Sequence, residues 1–392
     1  MQVFTDDQVA TEAGRALADK SAALVSALLA EKPLMQRRSR GMDAAEGFPS
    51  DLIDRLRDIG ALLAPIPPGA RGLGWATEPG GAPYLAAALR IIGSASLGLG
   101  RIYEAHVNAV ALIARFGDQA LRESAWTDMR NGHLFALWIA SGVEPVRAIR
   151  RGAARYLVGT KPFCTAGDVA TRAVTSFTLD NRQEQLVVIA TDQVIIGQRA
   201  APMHGMGNTS TRALSFDQAL DPSQWLGKPG DYFVEPDFSA GAWRTSAVTA
   251  GGLASLVEEV MTQLRARQRH SDPHQSRRIG LMLIACETAR MWVEEAARRA
   301  VVVGAPSADV TAYVNLARLA VEQVCLDVIA LVQRSLGLSA MMASNPVEAM
   351  FRDLATYLRQ PAADEALSEA AIHVAQQGRS LIGGILAGTA DP

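Results

Sequence analysis

A change of hydrophobic period divides this sequence into three. Up to about residue 120 the apolar residues recur at helical spacing, and from Phe238 onward they do so again. Between Gly132 and Pro236 the pattern turns towards alternation in short runs: Phe135–Ser141, Arg155–Thr165, Ala173–Thr178, Leu186–Thr191, Val194–Ile196 and Thr211–Phe216. Gly159 and Lys161 mark a turn or bulge inside the second run, and polar pairs such as Asp180-Asn181 and Thr191-Asp192 separate the later ones. Strands that follow one another without helices between them exclude an alternating βα sheet and predict an antiparallel sandwich or barrel.

The flanking blocks are helical by the same reasoning. Ala10–Lys32 has apolar residues at helical spacing on an Ala-rich background, and Pro49-Ser50-Asp51 starts the periodic set Leu52, Ile53, Leu56, Ile59. GALLAPIPPGARGLGW then forces the chain out of helix. Helices are predicted again over Pro83–Gly98 and Leu99–Gly117, with Phe116-Gly117-Asp118 as a terminating turn. After the β-rich stretch, Phe238–Gln268, Ser276–Arg299, Val310–Gly337, Pro346–Gln360 and Asp364–Ala387 are long and amphipathic, the pattern of a four-helix bundle. The expected class is α+β, mainly α: a helical domain over 1–120, a β-domain over 121–237 and a bundle over 238–392.

A formal charge of −2 over 392 residues supplies no field for nucleic acid or an anionic membrane. No run approaches the ~20 uninterrupted apolar residues of a spanning helix, and MQVFTDDQVA is too polar and acidic for a secretion signal. Cys164, Cys286 and Cys325 are widely separated, which fits neither a metal site nor a disulfide framework and suits a reducing cytoplasm.

Several segments, in order, resemble the acyl-CoA dehydrogenase superfamily of flavoproteins. Tyr156–Thr165, YLVGTKPFCT, is similar to the family strand carrying Gly-x-Lys-x-Trp-x-Thr, and Phe135–Ser141 resembles the strand before it. Gly205-Met206-Gly207 with Thr211–Asp217 resembles the family's Gly-Met-Arg turn and closing strand. Asn345-Pro346-Val347-Glu348 with Phe351-Arg352-Asp353 matches its Pro-x-Glu…Arg-Asp helix start, and RIYEAHVNAVALIARFGD is similar to the helix that ends in a Phe/Tyr-Gly turn. The resemblance implies a homodimer or homotetramer with a flavin between the β-domain and the last helices. FAD is the expected cofactor, with FMN as the alternative. Phe163, in place of the usual Trp, and Thr165 would flank the flavin ring, while Trp138, Ala140 and Ser141 would pass its edge. Arg267 or Arg269 and the Gln333…Gly337 turn stand where the family contacts FAD, with a shortened Arg segment and one glycine retained.

The family removes an α-proton from an acyl-CoA with a glutamate while hydride passes to the flavin. Here the two usual positions of that base fall on Pro361 and on Thr245, beside Arg244. Asp364 and Glu365, one turn further, are the nearest substitutes, although acidic residues there also suit a helix start. His106, next to Tyr103 and Glu104, and His204 are the remaining polar candidates; a lone His on a helix is more often structural. Three functions follow in order: an acyl-CoA dehydrogenase served by an electron-transfer flavoprotein; a monooxygenase like the dibenzothiophene monooxygenase group, fed reduced flavin by a reductase; and a non-catalytic homologue.

Overall fold

The computed structural model describes residues 6–39, 48–199, 203–378 and 385. The N-terminal block holds α1 (Asp6–Ser39), α2 (Asp51–Asp58), α3 (Ala82–Ala95), α4 (Leu97–Phe116) and α5 (Gln119–Arg130). Leu24, Leu28 and Met35 of α1 and Leu52, Ile53 and Leu56 of α2 are buried, so the helical periodicity is the core-facing stripe. The break between α3 and α4 falls at Ser96, which is extended (φ −161°, ψ 124°) and accepts the Leu99 N–H through its hydroxyl. That is two residues before the predicted break. Asp118, read from the sequence as part of a terminating turn, caps α5 by accepting the Leu121 N–H at 2.8 Å. α5 buries Leu121, Ala125, Trp126 and Met129, so the helical block runs to Arg130.

The β-block is one eight-stranded mixed sheet. Its strands are β1 (Phe135–Trp138), β2 (Arg147–Arg151), β3 (Ala154–Cys164), β4 (Arg172–Thr178), β5 (Glu184–Ala190), β6 (Ile195–Arg199), β7 (Arg212–Leu220) and β8 (Trp225–Leu226). The order is β6-β7-β3-β2-β4-β5-β8, with β1 pairing β4 in parallel. Most pairs are antiparallel, as the lack of intervening helices predicts; the parallel β1–β4 contact and the short strands β2 and β8 are additions. Gly159 (φ +135°) permits a close approach, since a Cβ there would lie 2.9 Å from the Val146 Cα.

The C-terminal block comprises α6 (Ala242–Ala266), α7 (Pro273–Arg299), α8 (Ser307–Leu336), α9 (Pro346–Tyr357) and α10 (Ala363–Gln377). The predicted helix to residue 387 is described only as far as α10, and most of its remainder lies outside the described residues. Ser307–Met341 is long and apolar enough to cross a membrane by length and mean hydropathy, which reaches 1.5. It packs against α6, α7, α9 and α10, and its buried Val310, Val314, Ala317, Val321, Cys325, Val328 and Val332 follow the three-and-four spacing of a bundle seam.

Two seams join the blocks. α3 lies on α6, where the backbones are so close that a Cβ on Gly251 would sit 2.1 Å from the Arg90 carbonyl oxygen. The 203–210 segment docks on α9, the Met206 N–H donating to Asp353 Oδ1 at 2.6 Å. One buried core cluster is continuous through all three blocks.

Candidate functional site

The sheet presents one aromatic to the outside at its junction with the helices. β3 and β7 pair from Arg155↔Leu220 to Lys161↔Leu214 and resume at Cys164↔Arg212, so β3 carries one extra residue, at Pro162-Phe163. Proline has no N–H to lose there. The bulge reverses the alternation: Lys161 and Cys164 both point inward, and Phe163 faces out, 51% exposed. The bulge predicted near Gly159 and Lys161 thus lies just beyond Lys161, and it is what frees the aromatic face.

The floor beneath Phe163 is tied down by polar groups. Lys161 is buried, and its Nζ donates to the Ile139 carbonyl at 2.9 Å and to Ser176 Oγ at 3.1 Å. Burial lowers its pKa to about 8. These bonds anchor the chain where β1 ends and leave Ala140 and Ser141 exposed beyond it. Trp138 is only 1% exposed; its Nε1 donates to the Thr165 carbonyl at 2.8 Å and its ring meets Phe216 edge-on. Trp138 therefore supports Thr165 from inside rather than facing a ligand. The Thr165 hydroxyl makes no hydrogen bond among the described residues. The next residues continue into the junction, with Ala166 and Gly167 N–H groups donating to the Thr209 and Ser210 carbonyls.

A charged cluster lies in the adjoining helices. Asn208 donates to Ser96 at the start of α4, and Asp353 of α9 accepts from Met206. Between one and about three turns further along those helices come Arg101, Glu104 and Asn108 of α4 and Tyr357 of α9, with Arg244 and Thr245 of α6 bonded to them. Glu104 is 2% exposed, and its two oxygens receive four donors. Oε1 accepts Asn108 Nδ2 at 2.6 Å and Thr245 Oγ1 at 3.0 Å. Oε2 accepts the Arg101 guanidinium and, at 3.4 Å, the Tyr357 hydroxyl. Arg244 donates Nη1 to Asn108 Oδ1 at 2.9 Å, and burial lowers its pKa to about 10 against the attraction of Glu104. Burial also raises the Tyr232 phenol to about 12 and the Tyr357 phenol well above its ordinary value, so both are neutral donors.

The residues singled out in the sequence fall in different places. His106 is fully buried: Nε2 meets the Leu62 carbonyl at 2.9 Å and Nδ1 accepts the Phe135 N–H at 3.2 Å. Both nitrogens are spent on backbone, which makes it a neutral staple between α4 and β1 rather than an acid or base. Asp364 and Glu365 are exposed in the first turn of α10, the helix-start arrangement. Neither makes a described contact with the cluster. Thr245 donates its hydroxyl to Glu104, and Pro361 is exposed, its carbonyl accepting from Arg318. His204 is exposed at the docking turn and gives its carbonyl to Arg352.

Arg267, at the end of α6, donates to Ser339 Oγ at 2.9 Å, and Ser339 also accepts from Asn345, the cap of α9. Gly337 (φ +59°) starts that turn, with its N–H on the Gln333 carbonyl. Arg267, Gln333 and Gly337 therefore share one end of the bundle, and Arg269 is exposed nearby. The Arg101–Glu104–Asn108 set was missed as a group. Its signal is present: three polar residues at i, i+3 and i+7, one face of a mainly apolar helix.

Comparison with known proteins agrees with this fold. Residues 12–133 match the family model for the acyl-CoA dehydrogenase N-terminal domain, and residues 230–358 match that for the acyl-CoA dehydrogenase C-terminal domain. No curated protein sequence matches. Among solved structures, KijD3 in complex with dTDP superposes with a TM-score of 0.80 at 18% identity, covering 91% of this chain and 97% of that one. Butyryl-CoA dehydrogenase from Megasphaera elsdenii gives 0.77 at 18% identity, covering 96% and 100%. FMN-bound TdsC from Paenibacillus sp. A11-2, a dibenzothiophene monooxygenase, gives 0.73 at 19% identity, covering 91% and 96%. At these identities the likeness is one of fold.

Proposed function

The chain belongs to the acyl-CoA dehydrogenase superfamily, and from that premise we propose that it is a flavin-dependent monooxygenase of a small organic substrate rather than a desaturase of acyl-CoA. One observation carries the choice. Glu104, the carboxylate at the centre of the charged cluster, already accepts from four donors, Arg101, Asn108, Thr245 and Tyr357. Taking a substrate proton would require breaking one of those bonds. The two positions where the family carries its base hold Thr245 and Pro361. A site without a free carboxylate is poorly suited to α-proton removal and compatible with oxygen transfer, which needs no such base.

The junction fits a flavin. Phe163 offers an open aromatic face, and Thr165, two residues on, and Ser141, beyond the end of β1, carry hydroxyls that would serve the polar edge of the ring. When bound in its reduced form, a flavin supplies two electrons for activating O2, with one oxygen atom entering the substrate and the other leaving as water. The chain's part is to hold and shield. Phe163 packs the ring, Lys161 fixes the Ile139 carbonyl and so the position of Ala140 and Ser141, and Trp138 holds the Thr165 backbone. FMN or FAD meets these contacts alike; Arg267 and Gly337 are the residues that would favour FAD, at the end of the bundle. Reduced flavin would come from a reductase partner in the same compartment, the cytoplasm. Self-association is supported by α7, where Leu281, Ile284 and Met291 share one exposed face.

The test is reconstitution with FMN and with FAD, followed by two assays. Oxygen consumption coupled to product formation with reduced flavin supports the proposal. Anaerobic bleaching of the bound flavin by a panel of acyl-CoAs overturns it in favour of the dehydrogenase. Failure to bind either flavin points to a non-catalytic homologue.

A further inference from the structure

The charged cluster is unbalanced. Two guanidinium groups, Arg101 and Arg244, face one carboxylate, Glu104, and the nearby phenols Tyr232 and Tyr357 are neutral. The next acid, Glu235, acts on Tyr232 but gives its oxygens to Ser239 and Thr311, so within the hydrogen-bonded set two cations share one carboxylate. Glu104 has no capacity left. Arg101 spends Nη1 on Glu104 and keeps 28% side-chain exposure.

Arg244 shows where the missing anion belongs. Its single hydrogen bond uses Nη1, on Asn108. Nε is buried and has no partner, and Nη2 makes no hydrogen bond among the described residues. Nε–H and Nη2–H are the two parallel donors of the guanidinium's side-on fork, whose spacing matches the two oxygens of a carboxylate. The fork is held in place by the Asn108 bond and by Trp243, whose ring centroid lies 5.4 Å from the Arg244 Cζ. The buried Nε–H lacks its acceptor.

We propose that the Nε/Nη2 edge of Arg244 is a carboxylate-recognition site, so that the substrate oxidised by this protein is a small carboxylic acid gripped at its ionised group. The site assignment stands on the cluster alone, and its use for a substrate rests on the oxygenase reading above. Arg101, whose Nη1 is likewise committed, to Glu104, adds attraction from the side of α4.

Trp243 provides a readout that needs no turnover. The full-length protein, flavin-free and FMN-loaded, is titrated with benzoate and glutarate, with their amides benzamide and glutaramide, and with inorganic phosphate, all at constant ionic strength. Trp243→Phe identifies the signal. Both acids are expected to change the Trp243 emission saturably, at concentrations at least about tenfold below their amides, since charge-assisted bonds are the stronger ones. Arg244→Lys, which keeps the charge and loses the fork, is expected to weaken acid binding about tenfold or more. Amides binding as tightly as acids overturns the assignment, and so does phosphate binding more tightly than either acid. Unchanged acid binding in a folded Arg244→Lys protein does the same. The acid–amide comparison needs no variant, so an unfolded Arg244→Lys protein does not block the test. Acid binding in a protein that takes up no flavin upholds the site and sinks the oxygenase; flavin uptake with no acid preference does the reverse.

Discussion

Replacing His106 by Gln should make the stability difference from the parent protein shrink as pH falls. The His106 ring is fully buried and neutral, and burial lowers its pKa to about 4 from an ordinary value of 6.5. In the unfolded chain the imidazole takes a proton below about pH 6.5. Between those two values the unfolded state binds more protons, so the stability contributed by neutral His106 is whole above pH 6.5 and is lost as pH falls towards 4. The linkage relation puts the loss at about 1.4 kcal/mol at pH ~5.5 and about 2.5 kcal/mol at pH ~4.5. Gln does not titrate. At neutral pH the variant should be weaker by about 1–3 kcal/mol, because the buried Phe135 N–H loses its acceptor. By pH ~4.5 that gap should have closed or inverted. Urea unfolding followed by tryptophan fluorescence at about pH 7.5, 5.5 and 4.5 measures it. Acid-sensitive carboxylates elsewhere are common to both proteins and cancel in the difference. A gap that stays constant across the three pH values would refute the reading of His106 as a neutral buried staple.

Glu104→Gln leaves Arg101 and Arg244 without their counter-charge and should cost about 3–5 kcal/mol, seen as a lower urea midpoint. Gly251→Ala should cost about 1–3 kcal/mol by parting α3 from α6, because the new methyl meets the Arg90 carbonyl; a melting temperature equal to the parent's would contradict the tight seam. Phe163→Ala should leave stability nearly unchanged, since half the side chain is exposed, while FMN affinity, measured by flavin fluorescence, falls about tenfold. Equal FMN affinity would move the flavin away from β3.

The helix–sheet–helix division was legible because hydrophobic period is a local property, and periods of 3.6 and 2 are imposed by backbone geometry alone. The same holds for the β3 irregularity, expected at Gly159 and Lys161 and found just beyond Lys161, and for the α9 start, announced by Asn345-Pro346. Local pattern also explains the failures. Phe116-Gly117-Asp118 ends one helix and caps the next, and only the burial of Trp126 and Met129 against the sheet decides that α5 forms. β2 is too rich in arginine and β8 too short to show as strands without their partners. The site depended still more on tertiary structure. Phe163 could be matched from its strand, but its exposure follows from a bulge measured against β7. His106 and Asp364 drew attention as isolated polar residues, and their roles were decided by what surrounds them: two backbone groups in one case, solvent in the other. Glu104, Arg244 and Tyr357 are separated by more than a hundred residues in sequence, and no spacing rule links them. Charge balance inside a protein is set by which groups share a desolvated volume, and that is a property of the folded chain alone.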